Sequence, residues 1–188
     1  MQRSACRGGG GPDASGRRKV DTADRLDRKI RTATHADAPG ICAIYNHYIA
    51  ESVATFEETP VAVAEMSRRI ETILSAGTWL ATERNGLVTG YAYATQWKPR
   101  SAYRYAVEST IYLAPGNTGG GTGTALYAAL IGILQQRGIH CVVAGVALPN
   151  DPSVALHEKL GFTKVAHFRE NGFKFGRWVD VGYWQRLL

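Results

Sequence analysis

An α+β (α/β) fold, a mixed central sheet of about seven strands flanked by about four helices, follows from how hydrophobic patterns alternate along the chain. Short β-branched and aromatic runs interleave with longer segments of helical period. Asn85-Gly86, between two alternating runs, marks an antiparallel hairpin, so the sheet is not purely parallel. The glycine-rich stretch 116–123 joins a strand-like run to an Ala/Leu-rich one, giving a strand, loop and helix in succession.

Ile30 to Thr34 suits a short first strand. Thr34 with Asp37 resembles a capping box with Asp in the Glu/Gln place, and it opens a helix through Ile41, Ile44, Tyr45 and Tyr48. Beyond the loop that holds Phe56, a second helix is expected from Val61 to Ser75, stopped by Gly77. Trp79 to Arg84 and Leu87 to Gln96 flank the hairpin turn. Tyr105 to Ala114 forms the next strand, Gly123 to Gln136 a helix ended by Gly138, and Ile139 to Ala147 a further strand. Pro152 lies in the first turn of a last helix that Gly161 ends. Val165 to Arg169 and Trp178 to Trp184 close the chain as a hairpin.

At 188 residues and 45% hydrophobic, the chain can bury one sizeable core. Residues 30–188 are expected to form that domain, and residues 1–29 a disordered basic extension. The extension runs through Gly8 to Pro12 without apolar periodicity, and it carries eight Lys/Arg against four Asp. Such a tail can touch acidic surfaces. It lacks the aromatic residues and defined motif of a nucleic-acid module, so nucleic acid is not an expected partner. No apolar run approaches the roughly 20 residues that span a bilayer, and the N-terminus lacks the apolar core of a signal peptide. No membrane association is expected, and a cytoplasmic location is. Cys6, Cys42 and Cys141 lack metal-ligand spacing, so neither a disulfide framework nor a metal is expected.

Chemistry concentrates on the glycine loop. Gly119, Gly120, Gly121 and Gly123 bare the backbone, whose N–H groups, with the N-terminus of the next helix, form a cradle for phosphate oxygens. The loop lacks a Gly-Lys-Ser/Thr ending, and no dinucleotide spacing is present, so a nucleoside triphosphate or NAD is not the expected ligand.

Thr118-Gly-Gly-Gly-Thr122-Gly123 resembles instead the acetyl-CoA loop of the GNAT superfamily, written Gln/Arg-x-x-Gly-x-Gly/Ala. The order of elements over residues 30–188 is that of the GNAT fold, and Asn150 to Phe162 is similar to the family's second CoA-contacting segment. Tyr45 to Tyr48, Trp97 to Tyr103, Val107 to Thr110 and Asp180 to Trp184 resemble the phosphinothricin and methionine sulfoximine acetyltransferases in particular. The resemblance implies an N-acetyltransferase taking acetyl-CoA and a small amino-acid-like amine through a ternary complex, and a homodimer. A protein N-terminus, a polyamine, or acyl-CoA sensing without catalysis remain alternatives, although Lys98 and Arg100 disfavour a polyamine.

The resemblance also places site residues, each with a structural reading beside it. Glu108, among apolar neighbours that would raise its pKa, matches the base that takes the amine's proton, or else a paired surface carboxylate. Tyr127, a helical turn after Gly123, is a proton donor to CoA thiolate or a core tyrosine. His157 is a second base or cofactor contact, or a structural histidine. Asn150 and Ser153 would bind pantetheine while capping a helix. If the strand of Ile111 and Leu113 splays from its neighbour, its free main-chain groups bind the cofactor, and the Ile111 amide is an oxyanion donor. Lys98 and Arg100 suit a carboxylate or phosphinate, with Phe56 walling the pocket and Tyr103 nearby, or they form a solvated turn. Gly116 to Gly120 carry none of the basic residues usual in this loop, so CoA affinity should be weak, and Gly119→Arg should lower the acetyl-CoA KM.

Overall fold

The computed structural model describes residues 28–188. The extension expected at residues 1–29 therefore lies outside the described residues, apart from Arg28 and Lys29. Lys29 opens the first strand, one residue ahead of the expected domain boundary.

Among the described residues the elements run β1 (Lys29–Thr32), α1 (Ala38–Glu51), α2 (Val63–Ala76), β2 (Thr78–Arg84), β3 (Leu87–Gln96), β4 (Ala106–Leu113), α3 (Thr122–Gln136), β5 (Cys141–Leu148), α4 (Asp151–Lys159), β6 (Thr163–Lys174) and β7 (Arg177–Leu187). The seven strands form one sheet in the order β1-β2-β3-β4-β5-β7-β6. This is the expected mixed sheet with four helices.

Local chemistry accounts for the turns that set this order. The Asp37 carboxylate accepts the Thr34 N–H at 2.8 Å within the expected capping box, and Arg31 grips both its oxygens at 2.7 Å. Asn85 and Gly86 both have positive φ, 50° and 75°, as a two-residue turn matching the strand twist requires. Apolar residues then divide between two cores. One gathers Leu126, Leu130 and Leu134 of α3 with Val142 and Trp184, and the other gathers Ile41 of α1 and Ile70 of α2 with Trp79 and Tyr91.

Two irregularities of the sheet position the site. First, β4 and β5 run parallel and pair over three steps, Ala106 with Cys141, Val107 with Val142 and Glu108 with Val143, and then separate. The expected splay therefore begins at Glu108. Second, the last hairpin is longer than the Val165–Arg169 and Trp178–Trp184 strands expected. Its register shifts between Phe168 and Gly172, where Glu170 has φ 51°, and pairing resumes through Lys174. Glu170-Asn171-Gly172 has the composition of a turn, and the long-range pairing to β7 overrides it. The Asp180 carboxylate holds this bulge, accepting from the Glu170 N–H at 2.8 Å and from His167 Nε2 at 2.6 Å.

Candidate active site

Where β4 and β5 part, a cavity of about 700 Å³ opens, walled by Glu108 to Leu113, Gly145 to Ala147, parts of the glycine loop, the start of α4, Phe56, Asn171 and Tyr183. The main chain of β4 faces it in alternation. Ala106 O and Ala114 N both bond to β3, accepting from Trp97 N at 3.0 Å and donating to Thr89 O at 2.9 Å. The β3–β4 register is unbroken between them. Strand groups alternate in direction, so Tyr112 and Thr110 also bond β3, whereas the N–H and C=O of Ile111 and Leu113 point to the open side. Tyr48 Oη takes up the Leu113 carbonyl at 2.8 Å. The Ile111 and Leu113 amides remain as donors along the strand edge beyond the last β5 pair.

The glycine loop closes one end of the cavity. Gly119 and Gly121 have φ of 82° and 76°, and a Cβ built at either would meet nothing within 4 Å, so these glycines serve backbone conformation and close approach. Thr118, Gly119, Gly121 and Gly123 line the cavity. Gly120 and Thr122 face a separate groove of about 110 Å³ instead. Arg28 borders that groove and donates to the Gly120 carbonyl at 3.1 Å, so a cation absent from the loop sequence reaches it from the start of the domain. At the loop's far end Gly121 begins α3, whose N-terminal N–H groups add to the cradle. A phosphate-bearing carrier fits this end: the donors are main-chain, the glycines leave room, and a helix N-terminus points the same way.

Glu108 is half-buried, and desolvation holds its carboxyl above the ordinary range, while the Lys98 ammonium pulls the other way. A Cβ at Gly145 would lie 3.6 Å from Glu108 Oε1 and 3.3 Å from Tyr183 Cε1, so this glycine makes room for both side chains. Lys98 stacks over Trp97 at 4.5 Å, and Trp97 meets Tyr183 edge-on, which places Lys98 on the rim. Arg100 and Tyr103 are exposed and do not line the cavity of the chain, and neither does Lys98. Phe56 is the expected substrate residue that does.

Tyr127 departs from the expected placement. It is 0% exposed, with its ring stacked on Phe162 and its hydroxyl 2.6 Å from Ser109 Oγ rather than at the loop mouth. Burial pushes its phenol well above the usual value. Ser109 donates to the Val143 carbonyl at 3.2 Å, so the phenol donates to Ser109, and Ser109 is the hydroxyl that lines the cavity. His157 does line it, and its Nδ1 lies 2.7 Å from the Ser153 carbonyl. A carbonyl only accepts, so Nδ1 carries the proton and Nε2 is left as an acceptor. Burial holds this imidazole below its ordinary pKa and so favours its neutral form, while the Ser153 carbonyl pulls the other way. Asn150 Oδ1 caps α4 by accepting from Ser153 N at 3.2 Å, and both residues line the cavity, so capping leaves them at its wall.

Ser109, Asn171, Gly145 and Arg28 were not singled out from sequence. Ser109 adjoins Glu108 in a strand-like run, a signal that could have found it. Asn171 had none, because it reaches the cavity through the bulge of β6.

Such a cavity admits a long phosphate-bearing carrier with its reactive end beside Glu108, and the class that this fold and site define is an acyltransferase. Residues 30–182 match the acetyltransferase (GNAT) domain, and the chain belongs to that family; it is an N-acetyltransferase. It is 43% identical over 163 residues to the phosphinothricin N-acetyltransferase of Streptomyces viridochromogenes, covering 87% of this chain and 89% of that one. To the L-methionine sulfoximine/L-methionine sulfone acetyltransferase of Salmonella typhimurium it is 37% identical over 160 residues, covering 85% and 94%. The GNAT superfamily phosphinothricin acetyltransferase (Pat) of Sinorhizobium meliloti, solved in complex with AcCoA, superposes with a TM-score of 0.83 at 38% identity, over 86% of this chain and 89% of that one.

Proposed function

We propose that this enzyme transfers the acetyl group of acetyl-CoA directly to the amine of a small amino-acid-like substrate of the phosphinothricin, methionine sulfoximine or methionine sulfone kind. The observation that carries this reading is the position of Glu108, a desolvated carboxyl at the last paired step of β4 and β5, where the strands open into the cavity. The loop cradle holds the diphosphate, and the free edge of β4 aligns the arm. Glu108 takes a proton from the substrate ammonium, directly or through one water. The freed nitrogen bonds to the thioester carbon as the carbonyl oxygen gathers charge toward the Ile111 N–H. The C–S bond then breaks, and the Ser109 O–H turns from the Val143 carbonyl to protonate the departing thiolate. The Tyr127 phenol replaces that proton and regains its own from solvent before the next turnover. His157 supplies a second acceptor for the proton that the nitrogen sheds.

Lys98 and Arg100 on the exposed 98–105 segment favour an anionic substrate, which they would draw toward the rim. Exposed Phe168, Phe173 and Trp178 on the last hairpin support a homodimer. Among the described residues no helix is long and apolar enough to cross a membrane, which fits action in the cytoplasm.

A thiol-release assay with acetyl-CoA against phosphinothricin, methionine sulfoximine, methionine sulfone and polyamines tests the proposal. Turnover with the amino-acid analogues and not with polyamines is expected. The absence of a complex between the protein and acetyl-CoA would overturn it. The weak cofactor grip expected from the uncharged loop has its own test. At Gly119 an arginine would carry backbone strain, since φ there is 82°. Thr118 borders both the cavity and the Arg28 groove and is free of that conflict. Thr118→Arg is expected to lower the acetyl-CoA KM about threefold, the effect of a partly screened charge contact worth roughly 0.7 kcal/mol, with kcat unchanged.

A further inference from the structure

Lys174 is 1% exposed, and the catalytic steps above make no use of it. Its acceptors are three main-chain carbonyls, Ser52 O and Thr55 O at 2.8 Å and Tyr48 O at 3.5 Å. An ammonium taken out of water needs its donors satisfied, and here they meet the C-terminal end of α1 and the segment that follows it. That end of a helix is where a cation is favoured. The segment leads into Phe56, which lines the cavity. Three residues before Lys174 on β6 stands Asn171, which lines it too.

Gly172 lies between them. A Cβ there would fall 2.3 Å from Phe56 Cζ, so the Phe56 ring rests flat against bare backbone of the β6 bulge. The outer wall of the cavity is thus built from two segments more than a hundred residues apart. Tyr112 Oη donates to Ala54 O at 3.0 Å, and Tyr45 Oη lies 2.8 Å from Thr55 Oγ1, which tie the first segment to α1 and β4. Lys174 ties it to the hairpin.

On the reading of this cavity as the amine site, we propose that Lys174 is a positioning residue for substrate: by holding the Ser52 and Thr55 carbonyls against β6 it seats Phe56 on Gly172 and fixes the wall facing the amine. The glycine loop lies at the cofactor end, so a fault in this wall changes amine binding and leaves cofactor binding intact.

Lys174→Met keeps the stem and removes the ammonium, and Gly172→Ala displaces the Phe56 ring without touching the lysine. Both are expected to raise the KM for methionine sulfone or phosphinothricin tenfold or more, while the acetyl-CoA KM stays within twofold. In the protein without ligands, amides 53–57 of Lys174→Met should exchange with deuterium at least tenfold faster than in the wild type, with 116–123 unchanged. A folded Lys174→Met with wild-type amine KM and wild-type exchange overturns the proposal, as does an equal rise in both KM values. If Lys174→Met does not fold, Lys174→Gln, which keeps a donor for one of the three carbonyls, is read by the same split in KM and the same exchange at 53–57, and wild-type values in both overturn the proposal. If the unsubstituted enzyme turns over neither amine, the substrate reading fails, and the exchange at 53–57 still tests the contact.

Discussion

Glu108→Gln is expected to lower kcat/KM for the amine about 10² to 10⁴-fold, the range for removing a general base, while acetyl-CoA binds as before. The substitution keeps the shape of the side chain and removes its ability to take a proton. Titration of acetyl-CoA into the variant separates catalysis from sensing, since a sensor would bind cofactor and lose nothing. The pH profile sharpens the result. Wild-type kcat/KM should fall on the acid side through a pKa above the ordinary carboxylate range, because desolvation of Glu108 outweighs its attraction to Lys98. In Glu108→Gln that limb disappears. In Lys98→Met it should move to higher pH, since the opposing charge is gone.

Stability should move the other way. A carboxyl whose pKa is raised on folding favours the folded state in its protonated form, and that advantage is lost as pH rises through the folded value. In the proposed mechanism the charged form is the active one, so at neutral pH the native state holds a desolvated charge that a neutral glutamine does not. Glu108→Gln should therefore have a higher Tm than wild type at pH 8, and the two should converge toward pH 4.

Much of this was legible in the chain because it rests on local chemistry. Asn85-Gly86 needs positive φ and announces its hairpin, Asn150 three residues before Ser153 announces a cap, and the glycines before α3 announce a cradle. Glu108 drew notice as a carboxylate among apolar strand neighbours, but its role as base came chiefly from the family resemblance of its position. What stayed hidden depends on contacts across the sheet. Lys174 follows a Gly-containing stretch that reads as a turn, and only pairing with β7 carries it inward to α1. The loop's missing cation comes from Arg28, 92 residues away from Gly120. Tyr127 shows the opposite failure: its spacing from Gly123 fits a hydroxyl at the mouth and a ring in the core equally well, and Phe162 and Ser109 take it into the core.

The Ile111 amide offers the cleanest trial of the strand edge. Proline in a central strand ordinarily destroys a ladder bond, which would confuse chemistry with folding. Here the Ala106 and Ala114 bonds to β3 set the alternation, and Ile111 directs its N–H away from β3, past the last residue that β5 pairs. Ile111→Pro removes a donor facing the cavity and no bond of the sheet. If that donor meets the thioester oxygen as charge develops, kcat should fall about 10² to 10³-fold, corresponding to roughly 2.7–4 kcal/mol. Ile111→Val, which keeps the amide and trims one methylene, should stay within a fewfold of wild type. Thr110→Pro is the control with the opposite outcome: its N–H bonds β3, so the fold should weaken, read as a drop in Tm larger than that of Ile111→Pro. Were Ile111→Pro folded and as active as Ile111→Val, the oxygen would have to be stabilised elsewhere, and the free edge of β4 would do no more than align the cofactor arm.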